Sequence, residues 1–200
     1  MKTLKTLKNT LYVAAFFAAA SLTISSCSEN KKHEAEEDTK EVAEDQNEKT
    51  FDSRASEKDA QFLVNAAEIG LKEIKLAELA LMRSTNADVK ELATMMKTDH
   101  TATNIDLKEL ADKKGVSIPT ALTEDGEDAF KKLNEKEGKK FDKEYCDMMV
   151  SGHKDAIDKF EKASNNATDV DVKNWASTRL PGLRSHLEHS KTCKDKCDKL

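Results

Sequence analysis

Glu73, His100, His153 and His186 each stand in a row of otherwise apolar residues. Carboxylate and neutral imidazole are ligands for iron, zinc or copper, so four such groups turned inward would make a transition-metal site. The same groups can also satisfy one another, because a buried carboxylate needs a donor and a facing histidine supplies one. Spacing narrows the metal reading. A di-iron carboxylate centre in a helical bundle takes one Glu from each of two helices and a Glu-x-x-His from each of the others. Three residues before His100, His153 and His186 stand Lys97, Val150 and Leu183, so that signature is absent. Asp99 and Asp142 are placed to orient neighbouring histidines or to face water. His186 and His189, three apart in "HLEH", could offer nitrogens to one ion, a weak pattern without acidic partners.

Sulfur is the other reactive element. Met95, Met96, Met148 and Met149 offer soft thioethers, but methionine pairs at helical spacing more often fill irregular cores than bind copper. Of the four cysteines, Cys193 and Cys197 in "CKDKC" lie one helical turn apart, which permits a disulfide in an oxidising compartment but lacks C-x-x-C redox spacing. Cys146 reads as a small buried residue, since nothing nearby would lower its thiol pKa. No set of acid, base and nucleophile emerges, and no catalytic residue is assigned.

Positioning these groups requires helices. Charged residues make up 36% of the 200-residue chain and aromatics 5%, with six Gly and two Pro, a composition suited to helices rather than sheets. Ser56 can cap a first helix carrying Phe62, Ala66, Ile69, Glu73, Leu76 and Ala80 inward, to about Met82. Asn86 caps a second with Val89, Leu92, Met96, His100, Leu107 and Ala111, ending before Gly115. The stretch from Val116 to about Lys140 is long for a hairpin loop and holds a short helix around Ala129, Phe130 and Leu133. A crossover running the length of a bundle accounts for it. A third helix spans about Phe141 to Ala163, and a fourth starts near Thr168, with Pro181 expected to bend it. Counting residues from the helix ends suggests two polar pairs, His100 with His153 and Glu73 with His186.

The N-terminus reads as a targeting signal over residues 1–26. Lys2, Lys5 and Lys8 precede an apolar run from Leu11 to Leu22, too short for a comfortable membrane span, and "TISSC" ends at Cys27. That pattern resembles the lipobox of bacterial lipoproteins, which implies lipidation of Cys27 and attachment through acyl chains. Residues 27–55 are rich in Glu, Asp and Lys and poor in large apolar side chains, as expected of a disordered tether, and His33 within it carries no site. The bundle then occupies residues 56–197. A net charge of −5 without a basic block argues against a nucleic-acid partner.

The stretch from Asp59 to Pro119, "FDKEYCDMMVSGHKDAIDKFEKA" and "LPGLRSHLEHSK" together resemble the bacterial domain-of-unknown-function family 4142. The matching motifs are Asp99-His100, Phe141-Asp142 with Tyr145, Gly152-His153, Leu180-Pro181 with His186-Leu187, and Glu73. The resemblance implies a ferritin-like four-helix bundle, all α, and members carry the label of putative outer membrane proteins. No barrel strands occur in this sequence, so a lipid anchor is the physical reading. The expectation is a lipid-anchored protein of the bacterial cell envelope, at the outer membrane facing the periplasm or the surface. Its bundle would act as a binding or structural module without a cofactor. The alternative is a metal-binding protein or metal-dependent enzyme using Glu73, His100, His153 and His186, and a thiol redox role through Cys193 and Cys197 comes third.

Overall fold

The computed structural model describes residues 39–199, which form six helices. They are α1 (Thr39–Thr50), α2 (Arg54–Arg83), α3 (Ala87–Lys114), α4 (Glu124–Asn134), α5 (Gly138–Asn166) and α6 (Val170–Cys197). The targeting segment, Cys27 and His33 lie outside the described residues. Among the described residues no helix is long and apolar enough to cross a membrane.

Local chemistry sets the boundaries. Ser53, rather than Ser56, caps α2, its side chain accepting from the Ser56 amide. Asn86 caps α3 by accepting from the Asp88 amide. Gly115 ends that helix at φ 66°, a left-handed conformation in which a Cβ is strained. Helix α6 runs through Pro181 without a break. The carbonyl that proline leaves unbonded belongs to Ser177, which is exposed and can bond water instead.

Two antiparallel hairpins, α2–α3 and α5–α6, make the bundle, with α2 against α5 and α3 against α6. Helix α4 travels along α2 and returns the chain to the far end, so that α5 starts beside the start of α3. Arg83, at the end of α2, donates to the carbonyl of Asn134 and, at 3.0 Å, to that of Lys136, which fixes the far end of the crossover. Leu133 is fully buried beneath it. This single long crossover is the one the loop length predicts.

Within the segment expected as a disordered tether, Thr39–Thr50 is instead the helix α1, while residues 27–38 lie outside the described residues. Composition misses this helix since it is held by polar contacts rather than apolar area. Asn47 is buried, donating to the Ser117 carbonyl at 2.9 Å and accepting from the Ser117 amide at 2.8 Å. Lys40 pairs with Glu68 at 2.8 Å, and Ala43 supplies the one buried apolar contact.

The core has two apolar parts. One gathers Phe62, Leu63, Leu107, Phe160, Trp175 and their neighbours; the other gathers Leu76, Met96, Phe141, Tyr145, Met149, Cys146, Cys193 and Cys197. Between them, on all four long helices, lies the layer of Glu73, His100, His153 and His186.

Candidate metal centre

Each of the four groups is buried: Glu73 is 2% exposed, His100 5%, His153 0% and His186 6%. They form one cluster rather than the two pairs that residue counting suggests. His100 Nε2 lies 2.6 Å from Glu73 Oε2, and His153 Nδ1 lies 3.4 Å from Glu73 Oε1. The three imidazole centroids are 5.3 to 5.5 Å apart. Each histidine brings a ring nitrogen within 4.8 Å of the other two.

The direction in which helical side chains lean explains the difference. Glu73 stands three residues nearer the α2–α3 link than His100, about 4.5 Å along the axis. Side chains tilt toward the N-terminus of their own helix, so Glu73 leans away from that link and His100 toward it. The tilts close the gap. His153 and His186 repeat the same three-residue stagger across the α5–α6 link and meet for the same reason. Gly152 admits the carboxylate to this layer, since a Cβ there would stand 3.1 Å from Glu73 Oε1.

Hydrogen bonds at the outer nitrogens assign the tautomers of two rings. His153 Nδ1 lies 2.9 Å from the Met149 carbonyl and donates to it. His186 Nε2 lies 2.9 Å from Asp99 Oδ2 and donates to that carboxylate. With those protons committed, neutral rings present bare lone pairs on His153 Nε2 and His186 Nδ1, which face each other at 3.3 Å. Two lone pairs so placed repel unless a proton or a metal cation stands with them. Glu73 Oε1 and Oε2 and His100 Nε2 are likewise buried without a hydrogen bond of acceptable geometry, despite the short ion-pair distance. Outer partners of this kind, a backbone carbonyl and a carboxylate, are what orient metal-bound imidazoles.

The electrostatics divide the cluster. Burial pushes the Glu73 carboxyl upward, but the fields of His100, His153 and His186 and the His100 contact outweigh it and hold it at about 2. Burial pushes His100 down, yet the charge and contact of Glu73, with the charge of Asp99, carry it above its ordinary value. His186 stays below its ordinary value, because burial and the two other histidines outweigh its bond to Asp99. Glu73 therefore favours its ionised form beside imidazoles, one of which, His186, favours the neutral form that metals need.

A cleft of about 280 Å³ opens against His100 and His186, with Asp99, Asn104 and Arg179 on its wall. It gives the layer access to solvent. Asn104 and Arg179 were not singled out by sequence, and polar residues beside an apolar row carry no signal of a cleft. The other expected participants lie elsewhere. Asp142 accepts from Ser84 Oγ at 2.6 Å, away from the histidines. His189 is exposed and directs Nδ1 to the Ser185 carbonyl, so "HLEH" contributes only His186. Met96 and Met149 are core.

The sequence profile of a domain of unknown function, DUF4142, matches residues 44–193, three quarters of the chain. The chain belongs to this family. The match begins inside α1 and ends within α6, so the DUF4142 domain takes in the end of the segment expected as tether, from residue 44, together with the crossover and the whole polar layer. No curated protein and no solved structure matches the chain.

Proposed function

We propose that this DUF4142 protein is a metal-binding module of the bacterial cell envelope, holding one transition-metal ion at its polar layer. The observation that carries this reading is the pair of lone pairs on His153 Nε2 and His186 Nδ1, facing each other at 3.3 Å beside orphaned atoms of His100 and Glu73. His153 and His186 would bind through those nitrogens, with His100 completing the set and Glu73 supplying anionic charge. Three imidazoles and a carboxylate suit iron, zinc or copper. With one glutamate in the layer, the site is mononuclear. A bound cation would supply Lewis-acid or redox chemistry at the cleft, while the chain's part is to fix the rings through Met149 and Asp99. Attachment to the membrane is proposed through lipid on Cys27, supported by the charged and apolar pattern that precedes it.

Elemental analysis of the chain from Ser28 to Leu200, purified without a histidine tag or chelators, tests the metal. The expected result is a stoichiometric metal that is lost in the His100→Ala, His153→Ala double variant. A second reading rests on the 2.6 Å contact of His100 with Glu73: an ion pair and a shared proton hold the layer together, and the module is structural. It predicts no metal after incubation with iron, zinc or copper, and a lowered melting temperature in the same variant. Radiolabelled palmitate incorporation, abolished by Cys27→Ala, tests the anchor separately.

A further inference from the structure

Two helical turns from the histidines, the same helices bury a second group of ligand atoms. Cys146 lies seven residues before His153 on α5, and Cys193 seven after His186 on α6, so each shares a face with its histidine. Cys197 follows one turn beyond Cys193. All three are buried free thiols. The spacing that suggested a Cys193–Cys197 disulfide brings those two together with a third sulfur, from Cys146, 47 residues before Cys193 in sequence. Cys146 Sγ lies 2.9 Å from Cys193 Sγ and 3.8 Å from Cys197 Sγ, and the three sulfurs fall within 4.8 Å of one another.

We propose that Cys146, Cys193 and Cys197 form a second metal site, which takes a soft d¹⁰ cation of the Cu(I) or Zn(II) kind. Two thiolates sharing one such ion at about 2.3 Å each lie roughly 3.8 to 4.0 Å apart, which these sulfurs reach by small rotations. A disulfide needs only two sulfurs, and three converging on one point exceed that need. Soft thiolates select these ions over harder ones.

One further feature fits a sulfur cluster that takes a cation. Asn86 directs Nδ2 to Cys197 Sγ at 3.7 Å while its Oδ1 is committed to the Asp88 amide as the cap of α3, so the amide orientation is fixed and its N–H faces sulfur. A hydrogen bond from an outer residue of this kind tunes a coordinating thiolate. The contact with Cys193 and burial push the Cys146 thiol well up and burial pushes Cys197 to about 11, while the Cys146 contact holds Cys193 below its ordinary value, so binding of a cation releases protons from Cys146 and Cys197. Access is present as well. Cys193 forms the floor of a surface groove of about 200 Å³ whose walls include Met95 and His189. A thioether and an imidazole at that mouth are soft donors that can hand an ion inward. This gives a role to His189, which the polar layer does not use.

The site is independent of the histidine layer, and the test keeps them apart. The full-length chain, reduced and metal-free, is titrated anaerobically with Cu(I) from a bathocuproine complex and, in a parallel arm, with Co(II) as the spectroscopic stand-in for Zn(II). The expected result is one sulfur-bound equivalent, marked by a sulfur-to-metal charge-transfer band and additional to any ion taken by the histidine layer, retained in the His100→Ala, His153→Ala variant and lost in Cys193→Ser. Asn86→Ala should weaken binding roughly tenfold. Alkylation of the three thiols in the wild-type chain should slow when metal is present, a readout that requires no variant to fold. The proposal is overturned if the bound metal shows only nitrogen and oxygen ligation, or if alkylation is indifferent to metal. It is also overturned if the reduced chain takes neither ion and the cysteines simply oxidise to a disulfide.

Discussion

The two halves of the core are built from different side chains on the same helices. On one side of the polar layer, Phe62, Phe160 and Trp175 pack edge to face and tilted, with centroids 5.0 to 6.0 Å apart. The other side has sulfur in place of indole: Cys146, Cys193, Cys197, Met96 and Met149, with Phe141 and Tyr145. Aromatic stacking is directional and gains energy beyond the area it buries. Thiols and thioethers pack adaptably and bring ligand chemistry. The comparison separates holding from binding. The aromatic half fixes the helices at one end so that the polar layer and the sulfur half can carry groups that would otherwise weaken a core. Tyr145 belongs to the second half: its hydroxyl is buried without a hydrogen-bond partner, and burial, followed by the charge of Glu73, pushes its pKa well up.

The sharpest way to break this division is to remove its aromatic anchor. Phe160→Ala deletes a buried ring that touches both Phe62 and Trp175, and should cost about 3 to 5 kcal/mol of unfolding free energy. Urea denaturation of the metal-free chain would measure it. A loss under about 1 kcal/mol would show that the site relaxes into the gap, and the claim that this half holds the bundle would fall.

How much of this was legible in the sequence follows the same division. Periodic apolar rows, the Asn86 cap and Gly115 disclose the helices because their chemistry is local, and the length of the crossover discloses the topology. The four polar residues of the layer are visible as exceptions within those rows. Their assembly into one cluster is not, because it depends on side-chain lean across two hairpins, which counting along the helix axes leaves out. The sulfur triad is hidden more deeply, since Cys146 joins the others only through the docking of α5 against α6. Helix α1 is hidden because its composition is that of a solvated segment, and its order comes from Asn47 meeting the backbone of Ser117.

A second prediction tests whether the layer is an ion pair awaiting metal. The folded-state pKa of Glu73 is depressed from 4.5 to about 2, so its contribution to stability is present above pH 4.5 and lost as pH falls toward 2. That of His100 is raised above 6.5, so its contribution is complete below pH 6.5 and lost as pH rises through the folded value. The metal-free chain should therefore gain most from this pair between pH 4.5 and 6.5. Its advantage over Glu73→Gln should peak there and shrink on either side, by up to about 3 kcal/mol on the acid limb. Metal should reverse the alkaline limb, because binding expels a proton from His100. Melting temperatures of both chains across pH, with and without zinc, would decide it. A flat difference would mean that the His100–Glu73 contact contributes nothing through charge.

The smallest effect is expected where the aromatic half is closed off. Asp59, on α2, accepts from the amides of Thr168 at 2.9 Å and Asp169 at 2.7 Å, and so staples the α5–α6 link over Phe62 and its neighbours. Asp59→Ala leaves those two amides without that acceptor and should cost about 1 to 2 kcal/mol, within the range for an unsatisfied donor. Because this link lies at the opposite end from the cysteines, the loss should appear in denaturant midpoint without altering metal stoichiometry at either cluster. A change in Cu(I) or zinc uptake in this variant would mean that strain at the aromatic end reaches the sulfur end through α5 and α6. The two halves would then be one mechanical unit, and the division between holding and binding would have to be given up.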